Sequence, residues 1–228
     1  MKIDSARALV TGGSSGIGLE TARQLAARGA RVAICGRDRE KVEKAAAEIG
    51  ALAIHADVSV ESNVVSMVAQ VVREFDDYNV LVNNAGFGSF GPLVDLEVEE
   101  MQRVFATNVF GAMLVARESA RHFMRRQYGN IVNVASSAAL RGFANGTAYA
   151  ASKFALHGMT ECWRAELRKA NVRVMQINPS EVQTAFFGGR ELNPRKLVAG
   201  DIAQAIVAML EMEDRAFVTE MSVWATNP

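Results

Sequence analysis

The sequence has no excess of either charge: 25 lysines and arginines stand against 25 aspartates and glutamates in 228 residues. Without a positive field there is nothing to concentrate the chain on nucleic acid or an anionic membrane, and neither is expected as a partner. Cysteine is scarce. Cys35 and Cys162 are too few and too far apart for a disulfide framework or a zinc site, and both read as reduced, packed side chains. His55, His122 and His157 have no metal-ligand spacing with cysteines or acids, so no metal is expected. No apolar run approaches the roughly 20 residues of a membrane span. The first residues reach a glycine turn before any long apolar segment, so no signal peptide is read there and a cytoplasmic location is expected. Low-complexity linkers and internal repeats are missing too, and residues 1–228 read as one domain.

What is present is the balance of a soluble globular protein, 50 % hydrophobic and 22 % charged, arranged in a β-α rhythm. Residues 6–11 form an apolar run that stops at Gly12. A helical pattern through Ile17, Leu19, Ala22, Leu25 and Ala26 follows and ends at Gly29. Strands are expected at 30–36, 51–57, 79–86, 130–135, 171–179 and 216–224. Helices are expected at 37–50, 60–75, 96–127, 148–170 and 201–213, with Asp201 as an N-cap and 180–200 irregular. Alternation of this kind predicts an α/β fold, a Rossmann-like doubly wound parallel sheet of seven strands with helices on both faces. Its ligands belong at the carboxyl ends of the strands.

The turn between the first strand and helix is Gly12-Gly13-Ser14-Ser15-Gly16-Ile17-Gly18. Glycines allow close approach, and a helix N-terminus offers unpaired N–H groups and a positive dipole end to a pyrophosphate. The second strand closes with Cys35-Gly36-Arg37, with no acid before Arg37. An arginine there suits a 2′-phosphate and favours NADP over NAD; the alternative is that Asp38 serves the ribose.

Tyr149 and Lys153 lie one turn apart on the expected helix. Bringing a phenol from a pKa near 10 to neutrality requires roughly 4 kcal/mol, and a unit charge about 4 Å away at an effective dielectric near 20 supplies about that much. The lysine is therefore expected to make the phenol more acidic. Ser136, at the end of the apolar run IVNVAS, places a hydroxyl where it can bond the same substrate oxygen.

Taken together these residues resemble the short-chain dehydrogenase/reductase family over almost the whole chain. The marks are Thr11-Gly12 with Gly16-Ile17-Gly18, Asp57-Val58, Asn83-Asn84-Ala85-Gly86, Asn108, Ser136, Tyr149 with Lys153, and Pro179 with Thr184. Ser136 lies 13 residues before Tyr149, the family's spacing, which makes Ser137 the bystander. The resemblance implies that Gly12, Ser14, Ser15 and Ile17 wrap the pyrophosphate, that Arg37 meets the adenosine phosphate, and that Asp57 and Val58 flank the adenine. It further implies that Asn84, within Asn84-Ala85-Gly86, approaches the nicotinamide ribose, that Lys153 bonds that ribose, and that Val182 and Thr184, beyond Pro179, hold the carboxamide. In the implied mechanism Ser136 polarises a carbonyl, Tyr149 supplies the proton, and Asn108 anchors a water that reloads it through Lys153.

Three departures from the family's pattern stand out: Pro179-Ser180 where Pro-Gly is usual, only about sixteen residues between Thr184 and Asp201 for a substrate lid (about 185–200), and no Gly-Gly near the end. Phe87, Phe90, Leu140, Phe143, Phe186 and Phe187 are pocket candidates. Arg141 reads as a surface arginine ahead of a partner for a carboxylate or phosphate. Small residues at Ala151, Ala155, Gly158 and Cys162 form a stripe, and the resemblance implies a homodimer or homotetramer. The expected activity is NADP-dependent reduction of a ketone or oxidation of the matching alcohol, with 3-oxoacyl and small 3-hydroxy-acid substrates both open. Alternatives are a pterin or sugar carbonyl reductase, or a non-catalytic NADP-binding regulatory protein.

Overall fold

Alternation along the first strand, β1 (Arg7–Thr11), sends Ala8 and Val10 to one face and Leu9 to the other, and all three are fully buried. A strand apolar on both faces must be covered on both, which calls for helices above and below. The computed structural model, which describes residues 1–184 and 193–226, has that arrangement. After β1 come α1 (Gly16–Ala27), β2 (Arg31–Gly36), α2 (Arg39–Ile49), β3 (Leu52–His55), α3 (Glu61–Glu74) and β4 (Val80–Asn83). They are followed by α4 (Val98–Phe105), α5 (Ala112–Arg126), β5 (Gly129–Val134), α6 (Thr147–Leu167), β6 (Val172–Pro179), β7 (Val182–Gln183), β8 (Leu197–Val198), α7 (Ala199–Glu211) and β9 (Glu220–Val223).

Seven strands pair in parallel in the order β3-β2-β1-β4-β5-β6-β9. The chain winds outward from β1 in one direction and from β4 in the other, so a crevice opens between them at the carboxyl ends. One core layer joins Val10, Ile34, Val82 and Ile177 to α1, α2 and α7 through Leu25, Val42 and Ile206. The opposite layer joins Leu9, Leu81, Ile131 and Val174 to α3 and α5 through Val68, Val71 and Phe123. Among the described residues no helix is long and apolar enough to cross a membrane.

Three local expectations are corrected. The helical pattern over 96–127 is interrupted by a π-helical turn, Ala106–Gly111, between α4 and α5. Wide turns of this kind insert a residue and sit often at functional sites, and Asn108 lies within it. Asp201 is the third residue of α7 rather than its N-cap, and its carboxylate accepts the Val198 N–H at 2.8 Å. Residues 180–200 are not wholly irregular, because β7 and β8 form a parallel two-stranded ladder. Residues 185–192 of the expected lid, with Phe186 and Phe187, lie outside the described residues.

Candidate active site

The carboxyl ends of the strands open into a cleft of about 1250 Å³. Its floor at one end is the turn after β1. Gly12 has φ +63°, a conformation side chains resist, and a Cβ on Gly18 would lie 2.4 Å from the Gly12 carbonyl oxygen. Asn84, just after β4, braces this turn by donating from its amide to the carbonyls of Thr11 (2.9 Å) and Gly12 (3.2 Å). The Thr11 hydroxyl in return accepts the N–H groups of Asn84 and Ala85, each at 3.0 Å. Ser15, the N-cap of α1, makes no side-chain cap bond, which leaves the first-turn N–H groups of the helix available at the cleft.

Arg37 lines the cleft where β2 ends. Asp38 lines the cleft beside it and also caps α2: its carboxylate accepts the Lys41 N–H at 3.1 Å and pairs with the Lys41 ammonium at 3.0 Å. Lys41 lines the cleft beside Arg37, a cation that the sequence reading did not single out although it lies one helical turn away. His55, at the end of β3, holds the Arg37 carbonyl at 2.9 Å. Asp57 ties down the next turn by accepting the N–H (2.9 Å) and hydroxyl (2.7 Å) of Ser59, while it and Val58 remain in the cleft wall.

At the other end Ser136 follows β5, and its hydroxyl accepts the Ala138 N–H at 3.1 Å. The hydroxyl of Tyr149, which rises from the first turn of α6, lines the same end of the cleft, and Ser136 lowers its pKa. Lys153, one turn on, is buried, donates to the Val134 carbonyl at 2.9 Å and stands 5.7 Å from the centre of the Tyr149 ring. The electrostatics differ from expectation. Burial pushes the phenol above its ordinary value, Ser136 opposing it, and burial pulls the lysine down to about 8. Both shifts have one main cause: a low dielectric penalises phenolate and ammonium alike.

Asn108 belongs to the scaffold behind the cleft rather than to its wall. Its amide oxygen accepts the Phe87 N–H (3.0 Å), and its nitrogen donates to the Phe87 carbonyl (2.9 Å) and to the Ser152 hydroxyl (3.0 Å). Ser152 in turn donates to the Tyr149 carbonyl at 2.7 Å. The amide thus ties the loop after β4 to the turn of α6 that carries Tyr149, with its donors and acceptor engaged by protein groups. No sequence signal marked Ser152 for this part.

Of the other expected site residues, Gly12, Ser14, Ser15, Gly16, Ile17, Asn84, Ala85, Gly86, Pro179, Val182 and Thr184 line the cleft, while Gly18 is buried beneath it. Phe87, Phe90 and Phe143 are in the wall, with Phe90 edge-on to Tyr149 at 5.5 Å between ring centres. Leu140 is exposed and does not line it. Arg141 is exposed as a surface arginine would be, yet it faces the cleft.

The sheet order and the crevice place the chain in the Rossmann-like class. A family model for short chain dehydrogenases matches residues 6–194, and the chain belongs to that family. It is accordingly a dehydrogenase or reductase acting on CH–OH or C=O groups. An uncharacterized oxidoreductase of Staphylococcus epidermidis is 30 % identical over 97 % of this chain and 98 % of its own. Two solved structures superpose with TM-scores of 0.90, each covering 97 % of both chains. One is an alcohol dehydrogenase of Thermococcus sibiricus complexed with 5-hydroxy-NADP, at 27 % identity. The other is a 3-ketoacyl-(acyl-carrier-protein) reductase of Brucella melitensis complexed with NADH, at 31 %.

Proposed function

We propose that the chain is an NADP(H)-dependent ketoreductase that reduces a carbonyl to a secondary alcohol or runs the reverse oxidation, on 3-oxoacyl or small 3-hydroxy-acid substrates. The carrying observation is the grouping of Ser136, Tyr149 and Lys153 at one end of the cleft that holds the glycine turn at the other.

The residues present fit a dinucleotide. Gly12 and Gly18 let the turn pack closely on itself and on Asn84 at the cleft floor, the first turn of α1 offers N–H groups to a pyrophosphate, and Arg37 and Lys41 supply positive charge for a 2′-phosphate. Relatives solved with an NADP derivative and with NADH span both coenzyme forms; the engagement of Asp38 in capping α2 and the two cations beside it favour NADP here. Asp57 and Val58 suit the adenine, Asn84, Ala85 and Gly86 the nicotinamide ribose, and Pro179, Val182 and Thr184 the carboxamide. Bound nicotinamide supplies or accepts the hydride.

The protein's part is proton handling. Ser136 holds the substrate oxygen, and Tyr149 gives it a proton. Held protonated at neutral pH, the phenol is ready as an acid in the reductive direction. Lys153, with a value near 8, is charged at pH 7 and close enough to neutrality to return a proton. Asn108 and Ser152 position the Tyr149 turn through the bonds described above.

The chain acts as one catalytic domain and as a homodimer or homotetramer. The small-residue stripe of α6 supports assembly, since Gly158 and Cys162 are exposed rather than packed on their own sheet. Its two free cysteines suit the reducing cytoplasm. The test is to follow NADPH and NADH absorbance separately against a panel of ketones. Oxidation of NADPH in preference to NADH is expected; a preference for NADH removes the role of Arg37, and no turnover of any carbonyl removes the ketoreductase reading.

A further inference from the structure

We propose that Arg141 receives a carboxylate of the substrate, so that keto acids and the matching hydroxy acids are preferred to neutral ketones. The inference rests on the ketoreductase reading of the cleft and names the substrate class of that site.

Arg141 lies in the cleft wall with Tyr149, on the segment leading away from Ser136. Its guanidinium stacks over the Trp224 ring, 4.7 Å from the centroid. Among the described residues no carboxylate pairs with it, and the Trp224 ring is the group it rests on. Stacking covers one face of a guanidinium and leaves the N–H donors along its edge free, while limiting the rotamers the side chain can sample. Among the described residues the other charged side chains lining the cleft, Arg37 aside, are engaged. Glu181 pairs with Lys196 at 2.7 Å, Asp38 with Lys41 at 3.0 Å, and Lys153 donates to the Val134 carbonyl. Arg37 is at the far end, where β2 stops.

Among the described residues, the open donors at the end of the cleft that holds Tyr149 therefore belong to one planar cation. A planar fork matches the two oxygens of a carboxylate, and one cation balances one negative charge, whereas a phosphate dianion calls for more. Phe90 and Phe143, in the same wall, provide apolar surface for the few carbons between carboxylate and carbonyl. Trp224 reaches the site from beyond β9, at the sheet edge, so the chain devotes a sequence-remote aromatic to holding this guanidinium.

The test compares initial rates with NADPH on 3-oxobutanoate and on its methyl ester, for the unaltered chain, Arg141→Met and Arg141→Lys. In Arg141→Met, kcat/KM for the acid is expected to fall about ten- to a hundredfold, as for loss of a charge-assisted hydrogen bond, with the ester changed by less than about threefold. Arg141→Lys should recover part of the loss. Equal losses on acid and ester, or no loss on the acid, overturn the proposal. A binding measurement separates it from the ketoreductase reading. The chain has two tryptophans, so Trp163→Phe leaves Trp224 as the sole emitter. Its emission is titrated with 3-oxobutanoate in the presence of NADP. A saturable response that Arg141→Met abolishes supports the carboxylate site even where no ketone is turned over. Turnover of the ester with no response to the acid keeps the ketoreductase and removes the carboxylate site.

Discussion

At the glycine end of the cleft the working surface is backbone: Gly12 in a left-handed conformation, Gly18 with no room for a methyl, and the N–H groups opening α1. At the Tyr149 end it is side chains, Ser136 just after β5 with Tyr149 and Lys153 from α6, two of them titratable groups that burial shifts in opposite directions. The first end is a shape made once the chain folds. The second is an electrostatic arrangement held against its own preference, because a buried ammonium destabilises the fold that contains it. Substitutions should therefore affect the glycine end through fit and the Tyr149 end through a trade between stability and chemistry.

The largest expected effect is on the chemistry. Tyr149→Phe removes the proton donor and should lower kcat by about 10²–10⁴-fold with the NADP dissociation constant unchanged; rates and a nucleotide titration measured on one preparation decide it. A comparable loss of nucleotide affinity would mean that the two ends are not separable.

Next comes the backbone end. In Gly18→Ala the new methyl meets the Gly12 carbonyl at 2.4 Å, so the turn must shift, at a cost of about 1–3 kcal/mol. Weaker NADP binding and a lower melting temperature are expected together. A variant with unchanged nucleotide affinity would show that the turn does not contact the ligand.

The third outcome has the opposite sign. Lys153 falls from its ordinary 10.5 to about 8, which corresponds to a ceiling on the order of 3 kcal/mol of burial penalty. Below about pH 8 the lysine is charged in folded and unfolded states alike and the penalty is carried in full. Between about 8 and 10.5 the folded state sheds its proton first, and stability rises with pH. Lys153→Met should thus stabilise the ligand-free protein at pH 7 by about 1–2 kcal/mol after the lost bond to the Val134 carbonyl is deducted, and by less at pH 10, while activity collapses. Melting curves at the two pH values test it; destabilisation at pH 7 would mean that the Val134 bond outweighs the penalty.

The smallest effect is selective. Arg37→Leu should reduce the preference for NADPH over NADH by about tenfold, the size of one exposed charge–phosphate contact, with little change in rate on NADH. Paired measurements of kcat/KM read it directly, and an unaltered preference would pass the phosphate to Lys41.

Legibility along the sequence followed the range of the interactions. The seven parallel strands were readable because a strand buried on both faces carries apolar residues on both, as 6–11, 130–135 and 171–179 do even with Arg7, Asn133 and Gln176 among them. The glycine turn and the Tyr149–Lys153 pair were readable because each is a local spacing. What was missed is nonlocal. The amide of Asn108 bridges Phe87 and Ser152, partners 21 and 44 residues away in sequence, which no local spacing announces. The double tie of Asp38 to the N–H and ammonium of Lys41 likewise appears only once α2 is folded. Leu140 was placed in the pocket by nearness to Ser136, but it is exposed instead.

By itself the sequence determined the order of strands and helices, the turn that bends without side chains, and the presence of a hydroxyl, a phenol and an amine at spacings that a single strand and helix can present. These follow from local periodicity and from sterics within a few residues. Only the tertiary structure decided the sense in which the phenol and amine shift, the company kept by Arg141, and the scaffold role of Asn108. Each depends on how much water the fold excludes and on which distant segment arrives alongside, and neither is written in the neighbouring residues.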